Sequence, residues 1–180
     1  MNNFTKIGLV ILGLSLVAIF LFKPVTAESK VAEIAVSKSL CTKSEQTIWS
    51  CTTTRKKIAS VCASKGLTAE KGYVQYRFGT VGKIELELPK SRENSQKFFK
   101  YSRYTRPLVT MLQLTFENGD YSYQIHDDDN AEEKPPIRAS SIDITKSGSD
   151  KTTSIVCKNP TAGSLMKLED IVPKDEDGIQ

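Results

Sequence analysis

With 180 residues, 39% of them hydrophobic, and a net charge of only +4, the chain can build one domain with a substantial core. Its charge balance is far from the strongly basic one of a nucleic-acid binder. The first 27 residues narrow the setting further. Lys6 precedes an uncharged, mostly apolar run at 7–22, and Val25-Thr26-Ala27 offers small residues to a signal peptidase. We therefore expect 1–27 to be a signal peptide and the mature chain to start at Glu28 in the periplasm or outside the cell. The apolar run is shorter than the ~20 residues a membrane-crossing helix needs. Only its retention would tie the protein to a membrane.

Residues 28–45 are small and polar and read as a lead-in to a β domain spanning 46–172. Export makes Cys41, Cys51, Cys62 and Cys157 legible as two disulfides, with three connectivities open. No Cys-x-x-Cys pair exists and the one histidine, His126, is far from every cysteine in sequence, so no metal site is expected. In the pair "TIWSCTTT" and "KKIASVCAS", one register sets Cys51 directly across from Cys62. The neighbouring register groups Trp49, Cys51 and Thr53 with Ala63, Val61 and Ala59 on a better apolar face. It favours Cys51–Cys157 inside and Cys41–Cys62 outside.

The stretch "YVQYRFGTVGKIELELP" alternates around a glycine turn. Setting Phe78 opposite Ile84 puts Val74, Tyr76, Phe78, Ile84, Leu86 and Leu88 on one face, with Gly82 where positive φ is wanted. Arg77 then meets Glu85 as an ion pair on the solvent side. A further strand is expected over 97–104, "KFFKYSRY". Next, Asn118-Gly119 marks a hairpin that sets Phe116 opposite Tyr121, Leu114 opposite Tyr123 and Met111 opposite His126, leaving the histidine exposed near a strand end. A last pair puts Ile144 against Ile155 and Ile142 against Cys157. "GSLMKLEDIV" offers Ser164 as N-cap of one short helix, and 173–180 reads as an acidic, frayed tail. The expected fold is thus all-β, an antiparallel meander of eight or nine strands closing as a small barrel, or else a two-sheet sandwich.

Catalytic and cofactor motifs are missing. The chain has no Gly-x-Ser-x-Gly elbow, P-loop, Gly-x-Gly-x-x-Gly or His-Glu-x-x-His, so we expect no enzyme and no cofactor. "HDDDNAEEKPP" lacks both the alternate ligand spacing and the glycine of a calcium loop. Charge is segregated, however: 55–106 holds thirteen Lys/Arg against four acids, and 117–133 holds seven acids and no Lys or Arg. Two candidate binding segments follow. One is basic and aromatic, with Lys97, Phe99, Lys100, Tyr101, Arg103 and Arg106. The other is an acidic loop with His126, Asp127, Asp128 and Asp129.

"SVCAS", "YVQYRFG" and "IELELP", followed by an F…Y…YTR strand and an aromatic hairpin, resemble uncharacterised exported proteins of Gram-negative bacteria over about residues 46–126. That resemblance brings no activity and no residue roles. The architecture is also similar to that of small disulfide-bearing periplasmic lysozyme inhibitors, without an inhibitor loop motif to match. The reading is an exported, non-catalytic domain that binds a protein or other envelope macromolecule, as an inhibitor or immunity protein does, and no nucleic acid. An envelope hydrolase using carboxylates, or a membrane-anchored structural component, is the alternative.

Overall fold

Alternation of apolar and polar side chains is carried through here as a single twisted sheet. The computed structural model describes residues 39–179; the expected signal peptide and residues 28–38 of the lead-in lie outside the described residues. Within them are nine strands: β1 (Glu45–Thr53), β2 (Ile58–Ser64), β3 (Val74–Thr80), β4 (Lys83–Leu88), β5 (Lys100–Arg106), β6 (Val109–Asn118), β7 (Tyr121–Asn130), β8 (Ile137–Lys146) and β9 (Thr152–Gly163). All neighbours are antiparallel, in the order β4-β3-β2-β1-β9-β8-β7-β6-β5. Two meanders, β1–β4 and β5–β9, are joined where β1 pairs with β9.

The expected barrel is not closed. β4 and β5 stand at opposite edges and do not pair. The wings meet instead through side chains: the Tyr76 ring of β3 lies 4.9 Å from Phe116 of β6 and 6.4 Å from Tyr123 of β7. The link from β4 to β5 contains a 3-10 turn, Ser95–Phe98, and brings Phe98 and Phe99 to 5.9 and 5.4 Å from the same Phe116. Aromatic packing therefore closes the core where a barrel would use hydrogen bonds.

Every hairpin pairs two residues out of the register read from the sequence. Asn118 faces Tyr121 across Gly119-Asp120, so Phe116 meets Tyr123 and Leu114 meets Ile125. Gly119 sits at φ 58°, as the first residue of a two-residue link requires. Phe78 meets Leu86 rather than Ile84, with Val81-Gly82 as the link and Gly82 at φ 81°. Ile142 meets Ile155, and Trp49 meets Val61. A slip of two residues keeps each side chain on its expected face, because strand side chains alternate with period two. The exception is Ile84, which a bulge at Glu85 leaves exposed.

Both disulfides have the favoured pairing. Cys51–Cys157 crosses the inner face where the meanders join, and Cys41–Cys62 pins the 39–44 segment to the outer face of β2. The expected C-terminal helix is only a 3-10 turn, Leu165–Leu168. Ser164 Oγ caps it by accepting the Met166 N–H, and Asp170 at φ 61° cannot continue a right-handed helix.

Candidate functional site

On β1–β3 the outer face is sealed. Arg77 is not on a solvent side: it is 2% exposed. All five of its guanidinium N–H groups are used. Nη1 donates to Glu45 Oε2 (2.6 Å) and Leu40 O (3.3 Å), Nη2 to Glu45 Oε1 and Gln75 Oε1 (both 2.9 Å), and Nε to Glu87 Oε2 (2.6 Å). Residues 39–45 cover this network, held by Cys41–Cys62 and by the Leu40 N–H donating to Ser60 Oγ at 3.0 Å. Burial alone would raise the Glu45 pKa. Arg77, the Thr42 amide and the Tyr73 hydroxyl outweigh it and hold the carboxyl near 2. Glu85, the expected partner of Arg77, pairs with Lys57. A guanidinium with no donor left has nothing to offer a ligand, so this cluster is structural.

No described segment seals the middle of the outer face of β5–β9. Register sets its rows. Tyr104, Met111, Asp128 and Ala139 lie side by side, and next to them Ser102, Gln113, His126, Ser141 and Val156. Apolar side chains stand out among the polar ones: Val156 is 53% exposed, Ile137 49% and Met111 38%. Five strands make this face about 19 Å wide. His126 Nε2 lies 3.5 Å from Asp143 Oδ2 without a hydrogen bond, and Asp128 Oδ1 is likewise enclosed and unbonded. Burial pushes the Asp128 carboxyl up, against the pull of His126. At the end of the same wing, the Pro107-Leu108 link between β5 and β6 holds Leu108 at φ 65°, 64% exposed. A leucine in the left-handed region is a strained arrangement that concentrates at functional positions.

The two candidate segments prove to be β5 and the end of β7, with β6 between them. Arg103, Leu112 and Asp127 form one row. The acidic run is therefore strand rather than loop, because β6 and β8 both extend far enough to pair with it through Asn130. Three expected site residues are corrected. Phe99 and Tyr101 are core residues, and burial raises the Tyr101 hydroxyl to about 12. Asp127 is also buried: Oδ1 accepts from Arg138 Nη2 (3.1 Å) and Ser140 Oγ (3.2 Å), and Oδ2 from the Leu165 N–H (3.2 Å). It anchors the segment after β9. Arg103 pairs with Glu169 at 2.7 Å, and Arg106 with Glu132. Lys97 and Lys100 are exposed, with no ion pair among the described residues, and Asp129 is exposed. His126 and Asp128 face outward but are half-buried. His126, expected exposed near a strand end opposite Met111, lies in mid-β7 opposite Gln113 because β7 continues to Asn130.

Leu108, Met111, Ile137 and Val156 were not singled out from the sequence. The available signal was an apolar residue on the outward beat of an alternating strand, as with Val156 between Ile155 and Cys157. Among the described residues no group of three or more His, Cys, Asp or Glu is placed to hold a metal, and no hydroxyl is hydrogen-bonded to His126. No protein-family model, curated protein or solved structure matches the chain. Two disulfides and no free cysteine among the described residues point to an oxidising compartment, periplasmic or extracellular. No described helix is long and apolar enough to cross a membrane.

Proposed function

We propose that the protein is an exported, non-catalytic domain that captures a macromolecule of the cell envelope on the outer face of β5–β9, blocking or sequestering it as an inhibitor or immunity protein does. One observation carries this reading. This face presents Met111, Ile137 and Val156 around Asp128 and His126, whereas the equivalent face of β1–β3 is covered by the chain's own residues 39–45. Exposed apolar side chains set among polar ones are a feature of binding surfaces. Leu108, held in a strained conformation at the rim, adds an anchor that folding does not require. The family resemblance at 46–126 agrees with export and assigns no chemistry.

The test is a pull-down from envelope extract, with bound species identified by mass spectrometry. Met111→Asp and Val156→Asp should each reduce recovery of the captured species at least tenfold, with melting temperatures within about 3 °C of the parent, as for surface substitutions. Undiminished recovery by both variants overturns the assignment.

A further inference from the structure

The free edge of β5 is occupied by the chain's own acidic segment. Far from fraying, residues 173–178 run alongside β5: the Tyr101 N–H donates to Pro173 O at 2.8 Å, the Asp175 N–H donates to Tyr101 O at 2.8 Å, and Lys174 sits opposite Tyr101 in a parallel bridge. The segment then turns back over the strand, with the Gly178 N–H donating to Asp175 O at 3.2 Å. It lies so close that a methyl group on Gly178 would stand 2.4 Å from Ser102 Oγ and 2.6 Å from its Cβ.

The electrostatics match the geometry. Asp175 and Asp177 line a cleft of about 440 Å³ together with Lys97, Phe98 and Lys100. These two lysines are the cations of the 97–106 segment without an ion pair among the described residues, whereas Arg103 and Arg106 are paired. The docking covers one rung only. Outward backbone groups recur at every second residue of an edge strand, so Arg103 and Thr105 present theirs on the same side as Tyr101. Among the described residues no backbone hydrogen bond of the 173–178 segment reaches either of them.

We propose that the β5 edge is a strand-addition site for an extended acidic peptide running parallel to β5, and that residues 173–178 are its resident stand-in. A tethered stand-in acts at an effective concentration on the order of millimolar, so an incoming peptide must offer more than it does. Continuing along Arg103 and Thr105 supplies the extra backbone bonds, while a carboxylate in the place of Asp175 stands beside Lys97 and Lys100. Such recognition draws affinity from main-chain pairing and selectivity from side-chain charge. The site is an edge, so it does not depend on the outer-face patch proposed above.

The probe is a fluorescent peptide of residues 172–180, Val-Pro-Lys-Asp-Glu-Asp-Gly-Ile-Gln. A chain ending at Ile171 should bind it at least tenfold more tightly than the full chain, and Lys97→Glu with Lys100→Glu in that background should abolish binding. A control peptide with lysine in place of both aspartates should not bind. Because a chain ending at Ile171 lacks the core residue Val172, full-length Gly178→Val provides a second route. Its Tyr101 amide should exchange at least tenfold faster than in the parent, and added probe peptide should restore the protection. Equal binding of both peptides, or an unchanged Tyr101 exchange rate in Gly178→Val, overturns the proposal. Neither measurement involves an envelope partner, so failure here leaves the pull-down test standing.

Discussion

The two wings use the same alternation, and both put a polar row on their outer face, yet only one of them is closed. On β1–β4 the polar row is Ser50, Ser60, Arg77 and Glu87; residues 39–44 fold over it and every donor of Arg77 is consumed. On β5–β9 the row is Ser102, Gln113, His126 and Ser141, flanked by exposed Met111 and Val156, and polar atoms such as His126 Nε2 are left without a hydrogen bond. A charge is tolerated inside the first wing because its partners are complete. On the second wing Ser102, Gln113, His126 Nε2 and Asp128 Oδ1 are enclosed, and what stands at the surface beside them is Met111 and Val156. The same strand chemistry therefore serves stability on one side and availability on the other, according to whether another segment covers it.

The largest effect should come from breaking the sealed wing. Arg77→Met leaves the Glu45 and Glu87 carboxylates facing an apolar side chain, which should lower stability in a denaturant titration by about 3–5 kcal/mol. A loss below about 1 kcal/mol would mean that the covered network is not what holds residues 39–45 in place.

Acid should separate the wings by sign. Glu45 has its pKa lowered from 4.5 to about 2, so its contribution is present above pH 4.5 and is lost as pH falls toward 2. That contribution is about 3 kcal/mol on the linkage relation. The advantage of the parent over Glu45→Gln should shrink across that window. Asp128 has its pKa raised by burial, so its contribution is present at low pH and is lost as pH rises through its folded-state value. Asp128→Asn should accordingly stabilise the protein at neutral pH and not in acid. Parallel pH profiles for the two variants would erase the contrast between the wings.

The smallest change in stability should be the most informative about the open wing. Leu108→Gly relieves a left-handed backbone at an exposed link and should raise stability by about 1 kcal/mol. If Leu108 anchors a partner, the same variant should capture less of it in the pull-down, moving stability and binding in opposite directions. A variant that gains stability and keeps full capture would confine Leu108 to an accident of the turn.

Much of this was legible along the chain. The glycines at 82 and 119 marked real turns, and the inward sets around Tyr76, Leu114 and Ile142 are the core. Cys51 and Cys157 were placed inside because an even slip cannot change a side chain's face. Exact pairing was less legible, since moving a turn by one residue slips the strands by two, which a pattern of period two does not register. The site suffered for another reason. Phe99 and Tyr101 looked available because aromatics beside lysines read equally well as core or as interface. Asp127 looked solvated because the Leu165 amide and Arg138 reach it from 38 and 11 residues away.

Local pattern by itself determined most of the strands and their apolar faces, because those depend on a period of two that any short window displays; it favoured one disulfide pairing and left the connectivity open. Whether a face is covered or open, whether the sheet closes, and where the acidic end of the chain docks were decided by contacts between segments tens of residues apart. Burial is a property of what lies opposite a residue in space, and for Arg77 and His126 those neighbours are set by the folded chain.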